Sequence, residues 1–295
     1  MGQLRAFAGV AGLFIGAFAL VAVLMPPQAP VKHAAKPAIH KKIAAKPLPK
    51  PAKAVIANTH LPDHVVKAVP LPPLTLTIDP AMQPDAAKVA ARLIDKLPRT
   101  LTPYFNVYLY VSKAAEGSWA QRLFLFRKNG AMLSFEESFP VSTGRERDEQ
   151  YFTATPTGLF ELDANRFMPM AYSAKWNDAA MPWAMFLNYA YRNDMTGVAL
   201  HAAIGARELR EIGHRASGGC VRLPLDKANA LFHRFQAEER GPVPVFAFDE
   251  ARGTTNVDGI VAGDGAGRVY LADGVRVLVV IENYSGDPAG TPLQS

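Results

Sequence analysis

Cysteine is almost absent from this chain of 295 residues, which has a single thiol at Cys220. One thiol cannot form the disulfide framework of a small secreted protein. A zinc site is also excluded, because one cysteine and three scattered histidines beyond residue 74 do not have ligand spacing. The chain has no dinucleotide-binding fingerprint, internal repeat or coiled coil. We therefore expect no bound metal and no cofactor.

Acidic residues are absent from residues 26–62, where seven lysines occur. The whole chain has a formal charge of +6, so this segment alone exceeds the net charge and the remainder is close to neutral. A basic groove on a folded domain is therefore unsupported, and we expect no nucleic-acid partner. The lysines are Lys32, Lys36, Lys41, Lys42, Lys46, Lys50 and Lys53.

One long hydrophobic run is present, because residues 6–24 are uncharged over 19 positions. A helix of this length crosses a hydrocarbon core of about 30 Å. We predict that residues 1–25 are an uncleaved membrane anchor, with a cleaved signal segment as the alternative, since the small-x-small triplets lie inside the run. By the positive-inside rule, the lysines that follow the run favour a cytoplasmic location for the residues after it, which argues against a domain that faces outward.

Residues 26–73 are rich in Ala, Lys and Pro and have no hydrophobic periodicity. Such a segment cannot bury enough apolar surface to offset the entropy of ordering, so we predict a disordered linker over 26–73. A helical lead-in follows over 74–103, and a folded domain extends over 104–283. Within that domain, residues 249–274 are rich in Gly and Asp and are predicted to be an inserted surface hairpin. Residues 284–295 are predicted to be a flexible tail.

The folded part is predicted to be β-rich, with few helices. Alternating apolar residues from 105 to 111, followed by strand patterns over 119–126 and 132–141, predict an antiparallel meander. Later strands are predicted at 198–200, 243–248, 269–271 and 275–281. Apolar residues at helical spacing predict helices over 85–97, 182–190 and 225–236.

The neighbours of Cys220 indicate a reactive thiol. Gly218 and Gly219 precede it, and glycines allow positive φ and a close approach of substrate to the backbone. The amides of Gly219 and Cys220 are therefore candidates for an oxyanion hole. A thiol that is only a small buried hydrophobe needs none of these neighbours.

A cysteine nucleophile needs a base, because a thiol with a pKa of about 8.5 is only slightly ionised at neutral pH. His201 follows an apolar strand, which gives an imidazole the fixed position that proton transfer requires. His214 lies in a predicted loop, and His233 lies on the polar side of the last predicted helix. We predict His201 as the base, with His214 as the alternative.

These residues resemble a known family. His201, fifteen further residues and then the run SGGCVR at 217–222 are similar to the signature of the L,D-transpeptidase catalytic domain of the YkuD type. The segments FPVSTG at 139–144, TPTGLF at 155–160 and MPW at 181–183 resemble the motifs that precede the histidine in that family. The resemblance covers residues 104–248 and a final strand at 275–281.

The resemblance implies a mainly β (α+β) fold, a YkuD-like β-sandwich or barrel with a few helices, here preceded by one transmembrane helix and a disordered linker. It implies peptidoglycan stem peptides as substrate, with Cys220 as nucleophile, His201 as general base and acid, and the Gly219 backbone in the oxyanion hole. Cys220 attacks the carbonyl of the third residue of a tetrapeptide stem, the terminal D-Ala leaves, and an amine resolves the thioester. That amine belongs to a second stem, giving a 3-3 cross-link, or to a wall or envelope protein.

Further candidates for substrate binding are Arg222, Ser217 and Trp183. The planar guanidinium of Arg222 suits a substrate carboxylate, with a structural salt bridge as an equal alternative. The Ser217 hydroxyl orients the loop or His201, with simple turn formation as the alternative. The candidate wall of the cleft is aromatic and consists of Trp183, Tyr172, Trp176 and Tyr189.

The chain departs from the family at two positions. Gly218 stands where most members have a histidine, and we expect this change to tune the site, because the role of base falls to His201. Ala202 follows His201 where some members have serine or glycine, so any role of this residue comes from its backbone.

Together these features predict a membrane-anchored L,D-transpeptidase of the cell envelope, with its catalytic domain outside the cytoplasmic membrane, where stem peptides occur. Two alternatives stay open. A carboxypeptidase, or a hydrolase of cross-links or wall-bound protein, uses the same thioester with water as acceptor. A non-catalytic wall-binding module keeps the fold without the chemistry.

Overall fold

The computed structural model describes residues 64–147 and 153–286. The predicted membrane anchor, most of the predicted linker and most of the predicted tail lie outside these residues. Across the described ranges, no helix combines the length and the apolar character needed to span a membrane.

The described chain is mostly β, with few helices. Its helices are α1 (Pro84–Lys96), α2 (Gly205–Glu211), α3 (Leu225–Glu238) and the 3-10 helix Ala174–Trp176. Its strands are β1 (Val66–Ala68), β2 (Thr77–Ile78), β3 (Val107–Ser112), β4 (Arg122–Asn129), β5 (Met132–Pro140), β6 (Gly158–Ser173), β7 (Ala179–Leu187), β8 (Ala190–Tyr191), β9 (Asp194–Met195), β10 (Ala199–Ala202), β11 (Val221–Leu223), β12 (Arg240–Pro244), β13 (Phe248–Asp249), β14 (Thr254–Thr255), β15 (Val269–Val275) and β16 (Val277–Glu282).

Nine strands form the main sheet, in the order β11-β10-β7-β6-β16-β3-β4-β5-β2. The predicted meander is confirmed, since β3, β4 and β5 pair antiparallel in succession. The long strand β6 pairs with β16 at its beginning and with β7 at its end, with an irregular stretch between Leu162 and Phe167. Side chains from both halves of the sheet meet in one hydrophobic cluster, so the sheet bends around that core.

Both faces of the central strands are buried, which explains their continuous apolar character. In β3, Val107 and Leu109 point into the cluster that α3 covers, while Tyr108 and Tyr110 belong to the cluster on the α1 side. Helix α3 adds Phe232 and its buried neighbours Ala228, Leu231 and Phe235 to the first cluster. The amphipathic helices predicted over 85–97 and 225–236 are therefore confirmed, each with one apolar face on the sheet.

Three sequence-based predictions differ from the structure. Residues 182–190, predicted as a helix, lie mainly in strand β7, because a short apolar run has no periodicity that separates helix from strand. Residues 66–68, assigned to the disordered linker, form β1, which pairs with β15 through backbone hydrogen bonds. The inserted segment 249–274 is also more than a surface hairpin, because β15 begins within it and joins β1 and β12 in a three-stranded sheet.

A buried carboxyl group lies in the centre of this fold. Glu161 of β6 is only 3% exposed, and its Oε2 accepts a hydrogen bond from the Asn188 amide at 3.3 Å. Burial raises the pKa of Glu161 to about 8, although hydrogen bonds from the Phe246 backbone and from Asn188 lower it in part. The side chain is therefore protonated at neutral pH.

We expect Glu161→Gln to stabilise the protein at about pH 9 and to change its stability little at about pH 5. An unfolded glutamate titrates at lower pH than the native group, so native stability falls as the pH rises through the window between the two pKa values, up to about 8. Glutamine keeps the neutral form and removes this loss. Thermal unfolding at both pH values measures the effect, with the exposed Glu116→Gln as control; an equal effect at both pH values would contradict a buried, protonated Glu161.

Candidate active site

Cys220 and His201 are brought together by two parallel strands. Cys220 immediately precedes β11, and His201 lies in β10, which pairs with β11 so that His201 is opposite Arg222. The two strands form one edge region of the main sheet, next to β7. Cys220 and His201 both line a cavity of about 630 Å³. A cavity of this size suits a small ligand or a peptide segment.

The loop before Cys220 is held by its own side chains. The Ser217 hydroxyl donates to the Cys220 carbonyl at 2.5 Å and accepts from the Gly219 N–H at 3.1 Å. The Thr155 hydroxyl donates to the Gly219 carbonyl at 2.9 Å. Gly219 has a φ of +121°, a conformation that residues with a β-carbon rarely adopt. These contacts give Ser217 a loop-orienting position.

The two amides proposed for an oxyanion hole are in different situations. The Gly219 N–H is directed to the Ser217 hydroxyl and is engaged inside the loop. Within the described part of the chain, no oxygen accepts a hydrogen bond from the Cys220 N–H. In this arrangement the Cys220 amide is therefore the available donor for a developing oxyanion.

A second segment supports the loop from its other side. The Ser142 N–H donates to the Arg222 carbonyl at 2.9 Å, and the Arg222 N–H donates back to Ser142 at 2.8 Å. The Thr143 carbonyl accepts from Ala216 and Ser217, both at 2.9 Å. The segment at 139–144, singled out in the sequence by its motif, is thus the backbone partner of the loop.

His201 is 4% exposed, and its Nδ1 lies 2.9 Å from the Ala202 carbonyl oxygen. A carbonyl oxygen only accepts, so Nδ1 carries the proton and Nε2 has a free lone pair. Ala202 thus contacts the imidazole through its backbone. Burial lowers the pKa of His201 to about 4; the Ala202 hydrogen bond raises it in part, and the charge of Arg222 lowers it further. The imidazole is therefore neutral at physiological pH and can accept a proton.

The Cys220 thiol is partly buried, with its Sγ 3.5 Å from the Gly197 carbonyl oxygen. Burial raises the pKa of Cys220, and a hydrogen bond with the Ala199 backbone and the charge of Arg222 lower it in part. A thiol with a raised pKa and an imidazole with a lowered pKa are both neutral at pH 7. The thiol must then lose its proton to a base while it reacts.

Arg222 lines the cavity but is paired with two carboxylates of α2. Its guanidinium lies 2.7 Å from Glu211 and 3.3 Å from Glu208. Of the two roles that the sequence left open, the structure shows the salt bridge. The sequence analysis did not predict α2, so it did not predict Glu208 and Glu211 as the ion-pair partners of Arg222.

The aromatic candidates divide into two groups. Tyr172 and Trp176 line the cavity. Trp183 lies outside that lining, with its ring 5.4 Å from the Phe232 ring and 5.1 Å from the His233 ring of α3. Tyr189 is buried in the core next to Phe160, and His214 is an exposed loop residue outside the cavity lining.

Comparison with known protein families gives a match over the part of the chain that contains this site. A model of the YkuD family, the L,D-transpeptidase catalytic domain, matches residues 107–258. The chain belongs to this family. His201 and Cys220 both lie within the matched part, as do the two supporting segments around Ser142 and Thr155. The resemblance in the sequence is thereby confirmed.

The solved structures that this chain resembles are distant in sequence. The L,D-transpeptidase LdtMt1, solved in complex with imipenem, has 14% identity and a TM-score of 0.35, covering 60% of this chain and 59% of its own. The L,D-transpeptidase from Mycobacterium smegmatis has 12% identity, a TM-score of 0.34 and the same coverage. The helical cell shape determining protein Pgp2 from Campylobacter jejuni has 15% identity and a TM-score of 0.29, covering 60% of this chain and 47% of its own.

The match therefore spans about three fifths of the two L,D-transpeptidase structures. At these scores the likeness supports no argument about function. A search of curated proteins finds no match.

We expect His201→Gln to reduce the loss of stability that acid causes. The unfolded imidazole titrates near 6.5 and the native one near 4, so the unfolded chain binds more protons as the pH falls through this window. Native stability is therefore intact above about 6.5 and falls by up to about 3 kcal/mol towards pH 4. Glutamine does not titrate, so the variant lacks this contribution.

Urea unfolding at about pH 7.5 and pH 4.5 measures the difference. His214→Gln is the matched control, because that histidine is exposed, and it should keep the acid sensitivity of the wild type. The neutral, buried state of His201 would be refuted by an acid-induced loss in His201→Gln as large as that of the wild type.

Proposed function

We propose that the chain is a cysteine-dependent L,D-transpeptidase acting on peptidoglycan stem peptides. The observation that carries the proposal is that a partly exposed thiol, Cys220, and a neutral, oriented imidazole, His201, line the same cavity. Membership of the YkuD family supports the substrate class.

In the proposed reaction, Nε2 of His201 takes the proton of Cys220 as Sγ attacks the carbonyl carbon of the third residue of the stem. The Cys220 N–H stabilises the negative charge on the carbonyl oxygen. As the bond to the terminal D-Ala breaks, the imidazolium returns the proton to the leaving amine, and a thioester remains. An amine of a second stem, or of an envelope protein, then loses a proton to His201 and attacks the thioester, which frees the thiol.

The ion-paired Arg222 has a positioning role in this proposal. Its side chain joins β11 to Glu208 and Glu211 of α2, and its backbone joins β11 to Ser142. The charge that it places near Cys220 and His201 lowers the pKa of both groups. Trp183 has no part in the proposed site, since its ring packs on α3.

The proposal places the protein in the cell envelope, since stem peptides occur outside the cytoplasmic membrane. The apolar run at 6–24 supports a single-pass anchor, and the lysine-rich segment at 26–62 supports a linker between this anchor and the domain. A large domain can cross a membrane despite positive charges next to the anchor.

We expect the purified full-length protein to convert tetrapeptide-stem muropeptides into dimers that have lost one D-Ala. Cys220→Ala should abolish these products, because it removes the nucleophile. His201→Ala should reduce the rate by about 10²–10⁴-fold, the usual contribution of a general base. Mass spectrometry of the muropeptides measures the products, with His214→Ala as the matched control at wild-type activity.

The products separate the alternatives. Cysteine-dependent tripeptide monomers without dimers would overturn the transpeptidase in favour of a carboxypeptidase. No product from the wild-type protein would overturn the proposed chemistry on this substrate and favour a wall-binding module. Full activity in Cys220→Ala would show that the thiol is not the nucleophile.

A further inference from the structure

The space beside Gly218 is filled by the side chain of Trp176. A β-carbon built on Gly218 would lie 2.5 Å from both Nε1 and Cε2 of the indole, closer than real β-carbons approach other atoms. The φ angle of Gly218 is outside the left-handed region, so its backbone could accept a side chain. The ring of Trp176, and not the backbone, therefore excludes a side chain at this position of the nucleophile loop.

Trp176 is held over the loop from two directions. It ends the 3-10 helix between β6 and β7, and the next two residues, Asn177 and Asp178, have left-handed φ angles of +52° and +53°. On the other side, the guanidinium of Arg145 lies 5.1 Å from the centre of the indole. The Arg145 N–H also donates to the Ser217 carbonyl at 3.1 Å, so the same residue contacts both the ring and the loop.

This arrangement joins the tip of the β6–β7 hairpin to the loop that carries the nucleophile. Trp176, Gly218 and Cys220 all line the same cavity. Gly218 is two residues from Cys220, so the indole stands beside the path by which a carbonyl group reaches the thiol. An indole is large and has only two side-chain torsions, so it makes a rigid wall.

We propose that Trp176 is a specificity-determining residue, whose indole, packed on Gly218, sets the width of the approach to Cys220. The inference rests on the proposed function only because the acyl donor would use this same approach. The width itself is a property of the cavity, and it can be measured without peptidoglycan.

Alkylation of the full-length protein measures this width, since Cys220 is the only thiol in the chain. We expect Trp176→Ala to accelerate the reaction with fluorescein maleimide, a bulky reagent, more than the reaction with the small iodoacetamide. The ratio of the two rates should rise by about tenfold, a change of about 1.4 kcal/mol in relative barrier. Trp176→Phe should give an intermediate ratio. Trp183→Ala is the matched control, because its ring lies outside the cavity lining, and it should leave the ratio unchanged.

A double-mutant cycle tests the contact between the two residues. Gly218→Ala alone should lower the melting temperature, because its β-carbon meets the indole. In the Trp176→Ala background the same change should cost little, since the ring is gone and the backbone accepts alanine. An equal cost of Gly218→Ala in both backgrounds, or an unchanged ratio of alkylation rates in Trp176→Ala, would overturn the inference.

These measurements keep the two proposals separate. A wild-type protein that forms no muropeptide products, together with a changed alkylation ratio in Trp176→Ala, would sink the proposed function and leave the role of Trp176 in access to the thiol intact. The reverse result, cysteine-dependent products with an unchanged ratio, would sink the role of Trp176 alone.

Discussion

Backbone pairing on both sides of β11 is the interaction on which the site depends. On one side β11 pairs in parallel with β10, and on the other side Arg222 exchanges two hydrogen bonds with Ser142. A strand fixed along both edges cannot shift its register, so the residue before it is fixed as well. The position of Cys220 relative to His201 therefore follows from main-chain geometry and needs no direct contact between their side chains.

Burial then determines the charge state of the pair. The loss of water favours the neutral form of both the thiol and the imidazole, and the cationic Arg222 opposes ionisation of His201 while it favours that of Cys220. Glu208 and Glu211 of α2 form ion pairs with this arginine. Cys220 and His201 therefore form no thiolate–imidazolium pair at rest, and they are suited to a proton transfer that accompanies bond formation.

The sequence predicted those parts of the site whose residues are neighbours in the chain. A lone thiol after two glycines and a histidine on an apolar strand were the predicted site residues, and the structure places both on the wall of one cavity. The meander and the two amphipathic helices, α1 and α3, followed from periodicity. Other features depend on partners that are distant in the sequence. Nothing near Arg222 shows that α2 supplies its carboxylates, and nothing near Gly218 shows that Trp176 fills its space. Likewise, the strand β1 could not be predicted from its own residues, because it forms by pairing with β15, about two hundred residues later in the sequence.

The position of β16 has a consequence for how the domain is made. This strand is the last element of the described chain, yet it lies in the middle of the main sheet, between β6 and β3. It also anchors α1 through the ion pair of Glu282 with Arg92. Until residues 277–282 have left the ribosome, β3 and β6 have no common neighbour and their apolar faces remain uncovered. Contacts of such high sequence separation slow folding. The sheet therefore cannot close before β16 has been synthesised, and a chain that stops short of β16 leaves apolar surfaces of β3 and β6 exposed.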